Sequence, residues 1–421
     1  MLKERDDMNI TFLAGYFTPE KSADTHLNDD LARDFASYGS TVHVVVPFPN
    51  RGLNEDQIAK YETLRNEKIN DHLTIHRVGG KSKFQKGLIA RGLSFLKKTF
   101  LLYKESRKYK TDCFFVVSTP PFLGYLAIFL GSKTPVVYKL QDVFPDNLIE
   151  IKNLSESNLL VKILRMLEKK VYASVSRILV CSEDVKETLL NRGVDEQKIA
   201  VVHDWVDETS CVPVPRNENP LFDTYGVSRD DFIFAYGGNI GHMQNVDTII
   251  DVAKILQDEE PNIKIVLIGD GARKQHIEDR VHDEAVSNVI MIPMQPLDKV
   301  SYVYSFGDVG LVSLKPGVAK TALPSKAWSV MSAARPVLCE IDAECELTDI
   351  IRNEMLGECV LPGDACGMAE AMLKMYKMSS RELDAMGKRC RGYIVDELNR
   401  KKSTTKCYEQ IIKTEWRENN V

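Results

Sequence analysis

The sequence has no long apolar run and no strong excess of charge of either sign. A membrane-spanning helix needs roughly 20 apolar residues in succession, and the longest candidate, Pro121 to Gly131, is too short. The 55 basic residues nearly balance the 60 acidic ones and give a formal net charge of −5, so charge alone does not indicate nucleic-acid binding. The first residues carry both signs of charge and no apolar core, unlike a secretory signal. The 44% hydrophobic content instead indicates a globular fold.

Cysteine pairs and the familiar catalytic motifs are also missing. The nine cysteines include no Cys-x-x-Cys pair, which favours buried thiols in a reducing cytosol over a disulfide framework or a zinc site. The chain contains no G-x-x-x-x-G-K-[ST], no G-x-G-x-x-G, no H-E-x-x-H and no G-x-S-x-G. Asp-x-Asp is absent too, so a divalent ion held by that motif is not indicated. We therefore expect neither a bound metal nor a resident cofactor.

Short strand-like runs alternate with amphipathic stretches along the whole chain, whose length suggests two or three domains. The predicted strands are Met8 to Leu13, Thr41 to Val46, Phe114 to Ser118, Pro135 to Leu140, Arg177 to Cys181, Ile199 to Val202, Phe232 to Tyr236, Ile263 to Ile268, Val289 to Ile292, Val309 to Leu314 and Pro336 to Cys339. A polar segment with three prolines, Pro213 to Pro220, separates two groups of them and is suited to a linker. We expect an α/β protein of two doubly wound, Rossmann-like domains, 1–212 and 213–399, facing each other across a cleft.

Two loops of the second half are candidates for binding an anion, since ligands of such sheets lie beyond the carboxyl ends of the strands. The glycines of Tyr236 to Gly241 would let backbone N–H groups approach a phosphate, although a tight turn without a ligand would use the same residues. Leu323 to Lys326 opens a later helix, and Lys326 there opposes the helix dipole at a cost of up to about 1 kcal/mol. A residue that violates a local rule at such a position indicates function. A solvated surface lysine is the alternative.

The segment 81–110 is locally basic, with ten Lys or Arg residues against the single acidic residue Glu105. Leucine, isoleucine and phenylalanine residues are interleaved with them. A basic amphipathic helix of this kind is typical of proteins that lie on an anionic membrane surface. A domain helix with a solvated basic face would show the same composition.

Several motifs of the second half occur in one order. They are Tyr236 to Asp247, Ile268 to Gly271, Ile292 to Pro296, Gly307 to Val312, Pro324 to Lys326 and Arg335 to Val337. The first half adds Tyr16 to Glu20, Asp142 to Asp146, Cys181 to Glu183 and Arg192 to Val194. Together they resemble family-4 glycosyltransferases of the GT-B fold, especially the branch that builds O-antigen, capsule and colanic-acid-type polysaccharides. The resemblance covers nearly the whole chain.

The resemblance implies transfer of a sugar from a nucleotide-diphosphate sugar to a saccharide or lipid-linked saccharide, with retention and without a metal, by a peripheral enzyme at the cytoplasmic face of the membrane. It implies that Lys326 and Asp142 are catalytic and that the acceptor side holds Glu20, Lys21 and Asp142. The donor side would hold Gly238, Asn239, Gly241, Gln244, Asp270, Gly271, Pro296, Ser325 and Lys326. By the same resemblance, a C-terminal helix over 400–421 packs back on the first domain.

The chain departs from the family pattern at five positions. Asn239 and Gln244 stand where Arg and Lys are usual, so positive charge at the phosphates falls more heavily on Lys326. The paired glutamates align with Thr321 and Ser329, and a usual glycine is Ala334. Two alternatives therefore stay open: a nucleotide-sugar epimerase of the same architecture, and a non-catalytic homologue that serves as a partner in an assembly complex.

Overall fold

The chain divides into two compact units, Met1–His203 together with Lys401–Val421, and Asp204–Arg400. The computed structural model describes residues 8–20, 24–80, 88–131, 133–146, 149, 154–321 and 324–418. The helices are α1 Thr25–Ser37, α2 Glu55–Thr63, α3 Leu88–Ser106, α4 Gly124–Leu130, α5 Leu159–Ser174, α6 Glu183–Asn191, α7 Leu221–Tyr225, α8 Val246–Leu256, α9 Lys274–Asp283, α10 Val300–Tyr304, α11 Lys326–Ser332, α12 Glu346–Asn353, α13 Ala365–Tyr376, α14 Ser380–Glu397 and α15 Arg400–Glu418.

The first unit is built on an eight-stranded sheet. Its strands are β1 Asn9–Leu13, β2 Thr41–Pro47, β3 Asn66–Lys68, β4 Leu73–Val78, β5 Cys113–Val117, β6 Val136–Leu140, β7 Arg177–Val180 and β8 Ile199–Val201. They lie in the order β3-β4-β2-β1-β5-β6-β7-β8, and the pairings are parallel except that β3 runs antiparallel to β4. Every residue of β5 and of β6 is buried, as expected of parallel strands covered on both faces.

Helices cover this first sheet on both faces. α3 packs on β1, β2 and β4, and α4 packs on β5, β6 and α5. The connections β4-α3-β5, β5-α4-β6 and β6-α5-β7 all run in one direction across the sheet, so right-handed crossovers place these three helices on one face. α1 lies on the other face because the connection β1-α1-β2 runs the opposite way, and its predicted apolar stripe of Leu27, Leu31 and Phe35 is buried.

The C-terminal helix α15 lies against the first unit, beside α1. The ring of Tyr408 packs 5.7 Å from that of Phe35, and its hydroxyl is 2.8 Å from Ser40 Oγ. Arg177, in β7, donates from Nε to Gln410 Oε1 over 3.0 Å. The chain therefore returns to its first unit after completing the second.

The second unit holds a six-stranded sheet with parallel pairings throughout. Its strands are β9 Phe232–Asn239, β10 Ile263–Asp270, β11 Val289–Pro293, β12 Val309–Ser313, β13 Val337–Glu340 and β14 Gly357–Val360. The order β11-β10-β9-β12-β13-β14 reverses direction between β9 and β12, and ligands of doubly wound sheets bind beside such a reversal. The predicted fold class, two doubly wound α/β domains, is confirmed.

The boundary between the two units lies closer to the end of β8 than the predicted linker does. The sequence places the boundary at 212/213, before the three prolines, whereas the second unit begins at Asp204. The reason is that the chain after β8 is already tied to the second unit. Arg391 Nη1 and Ser332 Oγ both donate to the carbonyl of Cys211, over 3.0 and 2.7 Å. Strands β3, β4 and β14, which carry polar residues, were not predicted.

Candidate active site

Gly237 and Gly238, which the sequence places in a loop or tight turn after Tyr236, belong instead to strand β9, which ends at Asn239. Gly238 pairs with Gly269 of β10, and Asn239 pairs with Asp270. A Cβ atom on Gly269 would lie 1.9 Å from the carbonyl oxygen of Gly238, so this pairing requires a glycine. The expectation of a turn was wrong because the strand continues through residues without apolar side chains. The glycines therefore form the carboxyl edge of the sheet, beside its reversal.

Lys326 lies across this edge, directly over Gly238. It is the first residue of α11, which follows β12, and Pro324 precedes the N-cap residue Ser325. A Cβ atom on Gly238, whose φ is +131°, would lie 2.4 Å from Lys326 Cε. Lys326 Nζ donates to Tyr236 Oη over 2.8 Å and to the carbonyl of Asn239 over 3.3 Å. Glycine at 238 thus makes room for the lysine side chain at the β9/β12 reversal.

The ammonium group of Lys326 is half-buried and, among the described residues, has no carboxylate counter-ion. Burial lowers the pKa of Lys326 from 10.5 to about 8. Within the part of the chain that the structure describes, no carboxylate forms an ion pair with it. Its nearest neighbours are a hydroxyl, a carbonyl and the face of the Tyr236 ring, whose centroid is 4.9 Å from Nζ. An unpaired ammonium in such a place is costly unless an anion joins it, so the site is suited to binding one.

The loop after β9 brings further donor-side residues to the same edge. Gln244 Oε1 accepts from the backbone N–H of Gly241 over 3.1 Å and from Asn239 Nδ2 over 3.3 Å. A Cβ atom on Gly271 would lie 2.3 Å from the carbonyl of Ile240, so this loop and the end of β10 touch. The two amides at the positions where the family has Arg and Lys thus hydrogen-bond to each other. Lys326 supplies the positive charge at this group of residues.

The other predicted donor-side residues are more scattered. The carboxylate of Asp270 accepts from the N–H of Gly271 over 2.8 Å. Ser325 is exposed and its side chain does not cap α11. Pro296 is exposed in the loop that follows β11, the second strand along the sheet from β9. Asp270 is thus adjacent to the Lys326 group, whereas Pro296 marks the outer end of the same sheet edge.

Glu340 is a residue at this edge that the sequence analysis missed. It ends β13, is fully buried, and accepts hydrogen bonds from Ser313 Oγ (2.5 Å), Asn245 Nδ2 (2.7 Å) and the N–H of Gly363 (2.6 Å). Burial raises the pKa of the Glu340 carboxyl. The contact with Asn245 fixes the N-cap residue of α8, immediately after the loop that holds Gln244. The sequence does hold one indication of this site, because the charged Glu340 directly follows the predicted apolar strand Pro336 to Cys339.

The positions of the usual paired glutamates hold side chains with local partners. Thr321 is buried and its hydroxyl donates to the carbonyl of Val318 over 3.1 Å. Ser329 lies beside the hydroxyl group of the half-buried Tyr304. Ala334, at a usual glycine position, has φ +55°, in the left-handed region that favours glycine. Ala334 thus adopts a backbone conformation that a glycine would take more readily.

The acceptor-side residues belong to the first unit. Glu20 is buried and accepts from the N–H groups of Asn50 and Arg51 over 2.9 and 3.0 Å, and burial raises its pKa. Asp142 is exposed just beyond the end of β6, and Lys21 lies outside the described residues. A Cβ atom on Gly15, after β1, would lie 2.0 Å from Pro120 Cδ, after β5. The sheet reverses between β1 and β5, so these loops frame its own ligand-binding edge.

Two family models match consecutive parts of the chain. Glycosyltransferase Family 4 matches residues 27–210, and Glycosyl transferases group 1 matches residues 218–392. The chain is a family-4 glycosyltransferase. The two matches together cover every strand of the two sheets except β1. The resemblance described from the sequence motifs is confirmed.

Curated relatives of this glycosyltransferase include two bacterial proteins. WbjE of Pseudomonas aeruginosa, named as a glycosyltransferase, is 26% identical over 302 residues, which cover 70% of this chain and 74% of WbjE. WcaI of Escherichia coli (strain K12), named as a colanic acid biosynthesis glycosyl transferase, is 22% identical over 391 residues, which cover 87% of this chain and 92% of WcaI.

Solved structures show the same fold. Anabaena HepE in complex with UDP and glucose superposes with a TM-score of 0.71 at 13% identity, covering 96% of this chain and all of HepE. The GT-B architecture expected from the sequence is thereby confirmed. The matches support a glycosyltransferase and do not favour the epimerase or the non-catalytic homologue.

Proposed function

We propose that this glycosyltransferase moves a sugar from a nucleotide-diphosphate sugar to a hydroxyl group of a saccharide or lipid-linked saccharide in the synthesis of a cell-surface polysaccharide. The observation that carries the proposal is the half-buried ammonium of Lys326 over Gly238, at the reversal of the second sheet, which forms no ion pair with any residue that the structure describes. The name of WcaI supports polysaccharide synthesis, and the UDP bound to HepE supports a nucleotide donor.

The proposed chemistry uses Lys326 to neutralise the leaving group. The bond between the anomeric carbon and the diphosphate breaks, and negative charge collects on the diphosphate. The acceptor oxygen bonds to the anomeric carbon and loses its hydroxyl proton, which passes to the departing diphosphate. A fixed ammonium and fixed N–H groups stabilise such charge without reorganising during the reaction. The donor side would also include the loop with Gly241 and Gln244, and Asp142 and Glu20 would serve the acceptor.

Retention at the anomeric carbon and independence from metal ions form part of the proposal. Among the described residues, no group of three His, Cys, Asp or Glu side chains is placed to hold a metal ion. The proposal therefore assigns the counter-charge for the diphosphate to Lys326. Analysis of the product by NMR would give its anomeric configuration, and transfer in the presence of EDTA would test the need for a metal.

We also propose that the enzyme works at the inner face of the cell membrane, bound through the segment 81–110. Residues 81–87 and the side chains of 88–96 lie outside the described part, but the rest of α3 exposes Lys97, Phe100 and Lys104. None of the helices within the described residues is long and apolar enough to cross a membrane. Attachment through an amphipathic surface fits a lipid-linked acceptor.

Calorimetric titration with a panel of nucleoside diphosphates, starting with UDP, tests the donor site. Wild type is expected to bind at least one of them. Lys326→Met should weaken that binding about ten- to a hundredfold, because a hydrogen bond to a charged group contributes about 1.5–3 kcal/mol. Lys388→Met, which removes an exposed lysine from α14 of the same unit, is the control and should bind as wild type does.

A nucleotide sugar that contains the nucleoside diphosphate bound in this titration should then be tested as the donor. The enzyme should release the nucleoside diphosphate from it only when an acceptor is present. A folded wild-type chain that binds no member of the panel would contradict the proposal and favour the non-catalytic partner. Equal affinities of wild type and Lys326→Met would contradict the role given to the lysine.

A further inference from the structure

Helix α5 of the first unit presents an apolar face to solvent. Leu159, Leu160, Ile163 and Met166 are 72%, 50%, 43% and 52% exposed. At 100° per residue, Leu159, Ile163 and Met166 fall within about 60° of one another. They form one stripe along the outermost line of the helix, where a helix on the surface of a soluble protein usually carries polar residues.

The buried face of the same helix holds its one acidic residue, Glu168. Val161, at the centre of this face, is buried, and Glu168 is buried beside it. Glu168 accepts hydrogen bonds from Tyr172 Oη over 2.9 Å and from Arg192 Nη1 over 2.7 Å. α5 thus has apolar side chains on both faces, with Val171 and the ion pair of Glu168 inside and the stripe outside. The interior of the unit therefore gives no reason for the outer stripe.

Positive charge borders the stripe. Lys170 continues its line by one turn, and Lys162 and Lys169 lie along one flank, all three exposed. The acidic residue of the helix, Glu168, is neutralised in the interior, and the preceding Glu156 pairs with Arg165. The outer surface of α5 is accordingly apolar and cationic, which is the composition of helices that lie in the interface of an anionic membrane.

Apolar exposure continues on the neighbouring helices. Phe129 of α4, the helix that packs against α5, is 63% exposed, and its ring meets that of Tyr103 in α3 edge-on at 6.3 Å. These three helices cover one face of the sheet. A flat partner could therefore contact all of them together.

We propose that the outer face of α5, consisting of Leu159, Leu160, Ile163, Met166 and the lysines Lys162, Lys169 and Lys170, docks on an anionic lipid bilayer, with the helix parallel to the surface. Apolar burial would supply the non-specific part of the binding and the lysines its preference for anionic lipid. This surface is separate from the segment 81–110. It would bind lipid whether or not the chain transfers a sugar.

Flotation of the full chain with vesicles tests the proposal. Phosphatidylcholine vesicles with about 30% phosphatidylglycerol should carry the chain upward, and phosphatidylcholine alone or high salt should release it. Ile163→Ser/Met166→Ser should lower the partition coefficient at least tenfold. Lys169→Gln/Lys170→Gln should lower it about 25-fold, because each lysine near the surface contributes about 1 kcal/mol, or about fivefold.

The matched control is Leu361→Ser/Val395→Ser, which removes two comparably exposed apolar side chains from the second unit and should leave binding unchanged. Equal lipid binding by wild type and Ile163→Ser/Met166→Ser would overturn the proposal. Sedimentation velocity without lipid gives a second test. If wild type forms a dimer and this variant is a monomer, a second copy of the chain occupies the face and the proposal is overturned.

The nucleotide titration is run on the same variants, so that failure of this inference and failure of the proposed function can be told apart. Lipid binding lost in the α5 variant with UDP binding retained supports the inference alone. Because the substituted side chains are exposed, melting temperatures should match that of wild type. If the double variant does not fold, Met166→Ser alone is tested, and its unchanged lipid binding would overturn the proposal.

Discussion

Replacing Lys326 with methionine is expected to stabilise the folded protein, although the residue makes two hydrogen bonds. The pKa lowered from 10.5 to about 8 corresponds, at 1.36 kcal/mol per unit, to about 3 kcal/mol of unfavourable free energy for the charged folded state. Because the residue remains partly exposed, solvent screens part of this cost, and we expect a gain of about 1–2 kcal/mol at pH 7. The melting temperature should rise by about 4 °C.

The lost hydrogen bonds do not cancel this gain. Tyr236 Oη still donates to the carbonyl of Asn239 over 2.6 Å when the lysine is absent, so neither partner is left unsatisfied. The methionine side chain can follow the path of the lysine stem over Gly238. A purely structural lysine would behave in the opposite way, and its removal would destabilise the unit.

The stabilisation expected from Lys326→Met depends on pH, and the lowered pKa of Lys326 determines the direction of the change. Below pH 8 the lysine is protonated in both states, so its unfavourable contribution is present in full. Between pH 8 and 10.5 the folded protein loses the proton while the unfolded chain keeps it, and wild-type stability rises relative to the variant. Urea unfolding at pH 7 and pH 10 should therefore show a difference that shrinks at the higher pH. A variant less stable than wild type by 1 kcal/mol, or a difference independent of pH, would refute the reasoning.

Two further predictions concern stability elsewhere. Burial, followed by the charge of His43, lowers the pKa of His76 from 6.5 to about 4, so the unfolded chain binds a proton that the folded one does not. The free energy of unfolding should fall by about 2 kcal/mol as pH drops from 6.5 to 4. Urea titrations should show a smaller fall in His76→Gln than in wild type. Equal falls would contradict the assignment of this pH dependence to His76. Ala334→Gly should raise stability by up to about 1 kcal/mol by relieving φ +55°. Thermal unfolding measures this gain, and a lower melting temperature than wild type would contradict it.

The fold could be predicted because its pattern is local. β5 is a continuous apolar run, β6 is apolar except for Lys139, and α1 buries Leu27, Leu31 and Phe35 at helical spacing. Two of the strands that were missed, β3 and β14, contain charged residues and no buried one, so their pairing depends on neighbours distant in the chain. The unit boundary was misplaced for a similar reason, because Arg391 anchors Cys211 from far along the sequence.

The candidate site could be predicted only as separate motifs. The sequence indicates Gly238 and Lys326, but not that the lysine stem fills the space above the glycine. Nor could it show that Lys326 lacks a counter-ion, since that depends on every side chain near it. The outward stripe of α5 was likewise hidden, because the same residues at the same spacing would equally describe a helix with its leucines inside. Orientation towards the core is a property of the fold.

These observations suggest why the family's charges could be lost from the loop after β9. An amide at 239 and another at 244 satisfy each other and the N–H of Gly241, so they hold the loop in shape without needing a ligand. Lys326 cannot be satisfied in that way, because a hydroxyl and a carbonyl do not neutralise an ammonium. An anion beside the ammonium lowers the free energy of the charged lysine. Binding of a diphosphate should therefore raise the pKa of Lys326 and offset the cost of its burial, a cost that the neutral loop amides do not have. The loop would then fix the geometry and the lysine would supply the affinity.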